Sequence, residues 1–313
     1  MTMPEYLIID AAADAYADEI ARLTGAPCSG IVCTSGKQAV EKYSGQPVVF
    51  GNPDMVASVL AELPNVEWVQ STWAGVTPLT AVPRRDYVLT GIKDVFGPPM
   101  SEYVTAYMLA HELKLFERMQ HQRAHDWFPK QSGTLFGKHL CVLGTGSIGA
   151  YIARVAKAFG MQTTGINRSG TATDAFDQIK PVNEMHDILV DVDYLVATLP
   201  ATAETNNLVD AKALARLPAN ACFINVGRSN VVNDDALMQS LRENKLAGAV
   251  LDVFDTEPLP KDSPLWETPN LVITAHKAAP SQPSLIAPVF VENYRRYCEK
   301  QPLKYVVGFE RGY

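Results

Sequence analysis

The sequence lacks the features that mark several specialised classes of protein. It contains no run of basic residues and its formal net charge is −7 at pH 7, so we expect no surface for nucleic acid. No apolar stretch reaches the roughly 20 residues that a membrane-spanning helix needs. The opening stretch MTMPEYLIID has no basic segment followed by a long apolar run, so no secretory signal is predicted. We therefore expect a cytoplasmic protein that does not bind a membrane.

Cysteine is also scarce. The chain has five cysteines, an odd number, and their spacing fits no zinc-binding pattern. Cys141 and Cys222 lie in apolar runs that are typical of buried strands. Unpaired thiols indicate a reducing compartment, and we predict no metal site.

What the chain does have is enough apolar sequence for two domains. It contains 313 residues, of which 47% are hydrophobic. Short strands alternate with helices over the first hundred residues, which is α/β patterning. The predicted strands are YLIID (6–10), PVVFGN (47–52) and VEWVQ (66–70), which leads into the turn STWAGV (71–76). The predicted helices are DAYADEIARL (14–23) and DMVASVLAEL (54–63), the second with Asp54 as its N-cap.

A long helical segment follows the first hundred residues. From Met100 the pattern predicts one uninterrupted helix as far as Phe128, and a second α/β run begins at His139. A final helix is predicted from Leu285 to Lys300.

The stretch HLCVLGTGSIGAYIARVAKAFG (139–160) places Gly144, Gly146 and Gly149 in G-x-G-x-x-G spacing. An apolar strand precedes the glycines and an amphipathic helix follows them, which is the context that a dinucleotide site requires. The predicted apolar face of that helix comprises Ile148, Ile152, Val155, Ala156 and Phe159. The first glycine permits the turn, the second lets the backbone approach a pyrophosphate, and the third allows close packing of helix on strand. The start of the helix then offers amide donors to the phosphates.

The stretch GINRSG (165–170) replaces the acidic residue that NAD sites place against the ribose 2′-hydroxyl. A carboxylate at this position would repel a 2′-phosphate, and Asn167 removes that repulsion. Arg168 can pair with the phosphate, and Ser169 can donate a hydrogen bond to it. We predict a preference for NADP(H), with NAD(H) possible. The alternative is that Arg168 is only a solvated surface residue.

Three later strands are each followed by a group that could carry chemistry. FINVGRSN (223–230) ends in Gly227 and Arg228, AGAVLDVFDTEPLP (247–260) carries Glu257, and NLVITAHKAAP (270–280) ends in His276. In open α/β sheets, ligands bind at the edge where such strands end. Each residue alone could be structural, but the three in this order favour a catalytic set.

With these motifs the chain resembles the D-isomer-specific 2-hydroxyacid dehydrogenases over almost its whole length. The resemblance rests on GTGSIG (144–149), LPATAET (199–205), NVGRSN (225–230), LDVFDTEPLP (251–260) and ITAH (273–276). Within that family the chain is most similar to glyoxylate/hydroxypyruvate reductases. Two positions depart from the family pattern, since Ser229 stands where Gly is common and Ala275 where Pro is common. We expect both to affect loop shape and substrate preference.

The resemblance implies an NAD(P)H-dependent reduction of a small 2-oxo acid to the D-2-hydroxy acid. Arg228, Glu257 and His276 match the family's catalytic residues, with His276 donating the proton, Glu257 favouring its charged form and Arg228 polarising the carbonyl. It also implies that Trp73, Ala74 and Gly75 bind the substrate, together with Arg228 and His276. The predicted cofactor-binding residues are Gly144, Thr145, Gly146, Ser147, Ile148, Gly149, Asn167, Arg168, Ser169, Leu199, Pro200, Val226, Gly227 and Asp252.

The implied fold is α/β, with two doubly wound parallel-sheet domains, one Rossmann-like and one flavodoxin-like, separated by an interdomain cleft. Residues 1–99 plus 281–313 would form the substrate-binding domain and residues 100–280 the dinucleotide-binding domain. The resemblance also implies a homodimer. Two alternatives stay open: a dinucleotide-sensing scaffold similar to the family's corepressors, and a dehydrogenase for another D-2-hydroxy acid. Formate dehydrogenase is disfavoured because that relative typically has Gln at the position of Glu257.

Overall fold

A computed structural model describes residues 5–310 of the chain. The strands in this range are β1 (Tyr6–Ile9), β2 (Gly30–Cys33), β3 (Val48–Gly51), β4 (Trp68–Ser71), β5 (Val88–Thr90), β6 (His139–Leu143), β7 (Gln162–Asn167), β8 (Gln178–Pro181), β9 (Tyr194–Ala197), β10 (Cys222–Asn225), β11 (Gly248–Leu251) and β12 (Leu271–Ile273). The helices are α1 (Ala13–Thr24), α2 (Gly36–Lys42), α3 (Pro53–Val59), α4 (Thr77–Ala81), α5 (Gly97–Glu112), α6 (Leu115–Arg123), α7 (Ser147–Ala158), α8 (Met185–Ile188), α9 (Ala211–Leu214), α10 (Asp234–Arg242) and α11 (Pro283–Cys298).

The chain divides into two compact units. Unit 1 comprises residues 1–95 and 281–313, and unit 2 comprises residues 96–280. The sequence prediction drew the boundary after residue 99, whereas α5 begins at Gly97 and carries residues 97–99 into unit 2. The assignment of substrate binding to one unit and dinucleotide binding to the other stays a prediction.

Unit 1 contains a five-stranded parallel sheet in the order β2-β1-β3-β4-β5. This is the flavodoxin-like order. One face of the sheet packs through Leu7, Ile9, Val49 and Val69. Side chains of the opposite face meet α11, where the ring of Phe290 stacks on Phe50 with centroids 4.4 Å apart. The last helix therefore completes the core of the unit that the first residues begin.

Unit 2 contains a seven-stranded parallel sheet in the order β12-β11-β10-β9-β6-β7-β8. Alternate residues of its strands belong to two separate cores, such as Cys141 and Leu143 in one and Leu140 and Val142 in the other. Both faces are therefore covered, as all-parallel sheets require. The two parallel sheets confirm the predicted α/β class with two doubly wound units. The chain order reverses between β6 and β9, which makes their carboxyl ends the switch point where ligands bind.

Three local predictions were wrong. The helix predicted without a break from Met100 ends at Glu112, because Lys114 adopts a left-handed conformation with φ 52° and the guanidinium of Arg118 bonds the Leu113 carbonyl at 2.8 Å. The N-cap of α3 is Asn52, whose side chain accepts from the amides of residues 54 and 55, and Asp54 lies inside the helix. Phe159 follows α7 and is exposed.

The five cysteines of the described chain are free thiols. Burial raises the pKa of the Cys141 and Cys222 thiols to about 12, so both stay protonated at neutral pH. No helix within residues 5–310 combines the length and the apolar character needed to cross a membrane. In the same part of the chain, His, Cys, Asp and Glu side chains form no group of three that could hold a metal ion.

Candidate active site

The three predicted catalytic residues follow neighbouring strands of the unit 2 sheet. Strands β10, β11 and β12 run parallel, and their last residues pair as Asn225 with Leu251 and Leu251 with Ile273. Because these ends lie level with one another, the segments that follow emerge along one edge of the sheet. Arg228, Glu257 and His276 all come from those segments.

His276 and Glu257 form a direct pair. The imidazole Nδ1 lies 2.9 Å from Oε2 of Glu257. The other carboxylate oxygen, Oε1, accepts a hydrogen bond from the Phe254 amide at 2.9 Å, which fixes the orientation of the carboxylate. Nδ1 is thereby occupied as a donor to the carboxylate, and Nε2 is the nitrogen left for a ligand. The His276 side chain is 52% exposed, so a ligand can reach it.

Arg228 contributes a charged group that is half-buried. Burial lowers the pKa of its guanidinium, and the charge of the Glu257 carboxylate opposes that shift. Arginine nonetheless stays protonated in proteins. The backbone under it is held by Asn225, whose amide donates to the Arg228 carbonyl at 2.9 Å and whose Oδ1 accepts from the Gly227 amide at 3.1 Å. Because Asn225 is fully buried, this support does not depend on solvent.

The glycine-rich loop has the shape that a pyrophosphate requires. Gly144 has φ 104°, which side chains rarely tolerate, and a Cβ added at Gly149 would lie 2.0 Å from the Gly144 carbonyl oxygen. A Cβ at Gly146 would meet nothing within 4 Å, so space is open there. Gly146 is also the N-cap of α7, and no side chain of the described residues caps that helix start. The amides of its first turn therefore suit phosphate oxygens.

Asn167 also shapes the loop on which it stands. Its Nδ2 donates to Thr145 Oγ1 and to the Thr171 carbonyl, both at 3.0 Å. Its Oδ1 accepts from the amides of Ser169 at 3.1 Å and Gly170 at 2.6 Å. These bonds shape the loop and leave Arg168 and Ser169 exposed at its tip. The Ser169 hydroxyl lies 2.7 Å from Thr171 Oγ1, a neighbour that sequence reasoning missed.

The remaining predicted cofactor residues lie along the same sheet edge. A Cβ added at Gly227 would lie 2.7 Å from the Leu199 carbonyl oxygen, which is a steric clash. Glycine therefore allows the loop after β10 to contact the loop after β9. Leu199 is half-buried and Pro200 exposed, whereas Val226 is buried. Asp252 is only 2% exposed, and its carboxylate accepts from Thr274 Oγ1 at 2.5 Å and from the amides of residues 277 and 278, both at 2.9 Å.

The predicted substrate-binding turn of unit 1 follows β4. The Ser71 hydroxyl accepts from the Trp73 amide at 3.0 Å and donates to the Trp73 carbonyl at 2.9 Å, which closes a tight turn. Thr72 anchors the turn by donating to Asp10 at 2.9 Å. Trp73 and Ala74 are exposed and Gly75 is half-buried. Their contact with a substrate stays a prediction.

The chain matches the family model described as D-isomer specific 2-hydroxyacid dehydrogenase, NAD binding domain, over residues 105–278. It is 30% identical over 218 residues to glyoxylate/hydroxypyruvate reductase A of Klebsiella pneumoniae strain 342, covering 69% of this chain and 70% of that protein.

Two solved structures are also similar. A D-isomer specific 2-hydroxyacid dehydrogenase family protein from Aeromonas salmonicida has a TM-score of 0.92 and 36% identity, covering 98% of this chain and all of the other. The enzyme from Xanthobacter autotrophicus Py2 in complex with NADPH and MES has a TM-score of 0.86 and 29% identity, covering 99% and 100%. The chain is therefore an oxidoreductase of the D-isomer specific 2-hydroxyacid dehydrogenase family with an NAD(P)-binding domain.

Proposed function

We propose that the protein reduces a small 2-oxo acid of the glyoxylate or hydroxypyruvate type with NADPH, and that His276 donates the proton. The observation that carries this proposal is the His276–Glu257 pair, with Nδ1 and Oε2 2.9 Å apart, beside the half-buried Arg228. The similarity to glyoxylate/hydroxypyruvate reductase A supports the substrate class. The NADPH complex of the Xanthobacter relative supports the cofactor.

Each residue has a separate part in the chemistry. A nicotinamide cofactor supplies the hydride when it is bound. His276, protonated and held through Nδ1, donates the Nε2 proton to the carbonyl oxygen of the substrate. Glu257 stabilises the imidazolium and fixes its ring. Arg228 bonds the polarised carbonyl and the substrate carboxylate, which suits the forked geometry of a guanidinium.

NADPH preference rests on the loop after β7. The structure leaves the Arg168 and Ser169 side chains exposed there, on a loop that Asn167 shapes. The described residues 167–171 include no acidic side chain that would repel a 2′-phosphate.

Arg168→Ala should weaken the use of NADPH roughly 10- to 100-fold in kcat/KM, because a hydrogen bond to a charged group contributes about 1.5–3 kcal/mol. NADH, which lacks the 2′-phosphate, should be used as before. Steady-state kinetics with both cofactors check this, with Arg154→Ala as a control for loss of an exposed arginine in the same unit. Equal losses of kcat/KM with NADPH and NADH would show that Arg168 does not bind the 2′-phosphate.

The proposed function is tested by following absorbance at 340 nm with NADPH and glyoxylate, hydroxypyruvate or pyruvate. We expect oxidation of NADPH with at least one of the first two, and the D-isomer as the product from hydroxypyruvate. NADPH binding without turnover on any 2-oxo acid would instead favour the dinucleotide-sensing scaffold. Turnover with pyruvate but with neither glyoxylate nor hydroxypyruvate would favour a dehydrogenase for another D-2-hydroxy acid.

The homodimer implied by the resemblance stays a prediction. Helix α6 buries none of its described side chains, and Leu115, Phe116 and Met119 on it are each more than 40% exposed. Trp127, shortly after the helix, is 90% exposed. Exposed apolar side chains of this kind are typical of protein–protein interfaces.

A further inference from the structure

The backbone of His276 is held in an unfavourable conformation. Its φ is 52°, in the left-handed region that side chains other than glycine enter at a steric cost. Such a conformation persists only where the surrounding structure fixes it. The contacts that fix it therefore also decide where the imidazole is held.

Asp252, directly after β11, supplies most of those contacts. Its carbonyl oxygen accepts from the His276 amide at 2.8 Å. Its carboxylate accepts from the Lys277 amide through Oδ1 and from the Ala278 amide through Oδ2, both at 2.9 Å. Three consecutive amides thus bond to one buried residue, and the two that follow the left-handed residue both point at its carboxylate.

Thr274 and Tyr103 extend the same network to helix α5. The Thr274 hydroxyl donates to Asp252 Oδ1 at 2.5 Å. That bond uses the only hydroxyl proton of Thr274, so the Tyr103 hydroxyl, 2.6 Å from Thr274 Oγ1, is the donor in their contact. Burial raises the pKa of Tyr103 above its ordinary value, which keeps this donor protonated.

We propose that Tyr103, Thr274 and Asp252 form a positioning relay that holds the His276 loop in its left-handed conformation. The relay runs from Tyr103 to Thr274 to Asp252 and then to the three loop amides. This inference rests on the proposed function, because the relay acts on the reaction only through His276. Tyr103 and Thr274 are positioning residues and need no contact with substrate.

Tyr103→Phe tests the relay, because it removes the hydroxyl and keeps the ring. Losing one hydrogen bond should lower kcat about 3- to 10-fold, with the KM for NADPH unchanged. In the cofactor-free protein, hydrogen–deuterium exchange of the amides of residues 276–278 should quicken by a similar factor. Thr274→Val removes both the bond from Tyr103 and the bond to the Asp252 carboxylate, so kcat should fall and exchange should quicken by more than in Tyr103→Phe. The double variant should have nearly the same kcat and exchange rates as Thr274→Val alone. In Thr274→Val the tyrosine hydroxyl has already lost its acceptor, so removing that hydroxyl as well has little further effect.

Tyr194→Phe is the matched control. The Tyr194 hydroxyl also donates to a residue of α5, the Glu112 carboxylate at 2.7 Å. Tyr194 is the first residue of β9, so it lies at the amino ends of the parallel strands, whereas His276 follows their carboxyl ends. This variant should keep the wild-type kcat and the wild-type exchange at residues 276–278, even if its melting temperature falls.

The exchange measurement separates failure of the relay from failure of the proposed function. Unchanged exchange at residues 276–278 in Tyr103→Phe would overturn the relay, and so would equal losses of kcat in Tyr103→Phe and Tyr194→Phe. Faster exchange in Tyr103→Phe combined with a wild-type protein that reduces no 2-oxo acid would support the relay and overturn the proposed function.

Discussion

His276→Gln is expected to lower kcat for 2-oxo acid reduction roughly 10²- to 10⁴-fold, the range that general acid catalysis usually provides. Glutamine keeps a polar side chain at the position, but its neutral amide cannot deliver a proton to the substrate oxygen. The KM for NADPH should change little, because the glycine loop and the Arg168 loop follow β6 and β7, whereas His276 follows β12 on the other side of the sheet.

His186→Gln is the matched control, because it makes the same exchange at an exposed histidine on α8 of the same unit. It should keep the wild-type rate. Steady-state kinetics and melting curves for both variants separate a chemical loss from a folding loss. A folded His276→Gln variant with nearly wild-type kcat would remove His276 from the proposed chemistry.

Arg228→Gln should have the second largest effect, a fall in kcat of roughly 10²- to 10³-fold, as for the loss of one donor that stabilises charge on a reacting oxygen. The KM for the 2-oxo acid should rise as well, since the guanidinium is also proposed to bind the substrate carboxylate. The variant should fold, because Asn225 holds the backbone of residues 227 and 228 without the arginine side chain.

Arg228→Lys keeps the charge but not the forked geometry, so its kcat should lie between those of the wild type and Arg228→Gln. Arg242→Gln, an exposed arginine near the end of α10, serves as the control and should behave as the wild type. If Arg228→Gln raised only the KM and left kcat intact, Arg228 would bind the substrate without polarising its carbonyl.

Much of the fold could be predicted from patterns among residues that lie close together in the sequence. The glycines at 144, 146 and 149 stand between an apolar strand and a helix, and the structure has β6 and α7 there. Arg228, Glu257 and His276 each follow an apolar run, so their common sheet edge could be predicted as soon as those runs were taken as parallel strands. The family model and the similar proteins confirm the family assignment and the oxidoreductase class, and the two parallel sheets confirm the α/β class.

What the sequence did not reveal depends on contacts between distant residues. Tyr103 meets Thr274 across 171 residues of sequence, and no local pattern signals such a contact. Asp252 was predicted to bind the cofactor, which stays a prediction; that its carboxylate bonds the amides of the loop after β12 could not be read from the sequence. The left-handed backbone at Lys114, which ends α5, likewise occurs at a residue with no intrinsic preference for it.

We propose that His276 and Arg228 together contact the carbonyl oxygen of a 2-oxo acid next to the nicotinamide. A crystal structure with NADPH and oxamate, an analogue of pyruvate that resists reduction, tests it directly. We expect the oxamate carbonyl oxygen within about 3 Å of His276 Nε2 and of the Arg228 guanidinium, with the nicotinamide C4 about 3–3.5 Å from the carbonyl carbon. An oxamate bound elsewhere, with its carbonyl oxygen out of reach of Nε2, would contradict it.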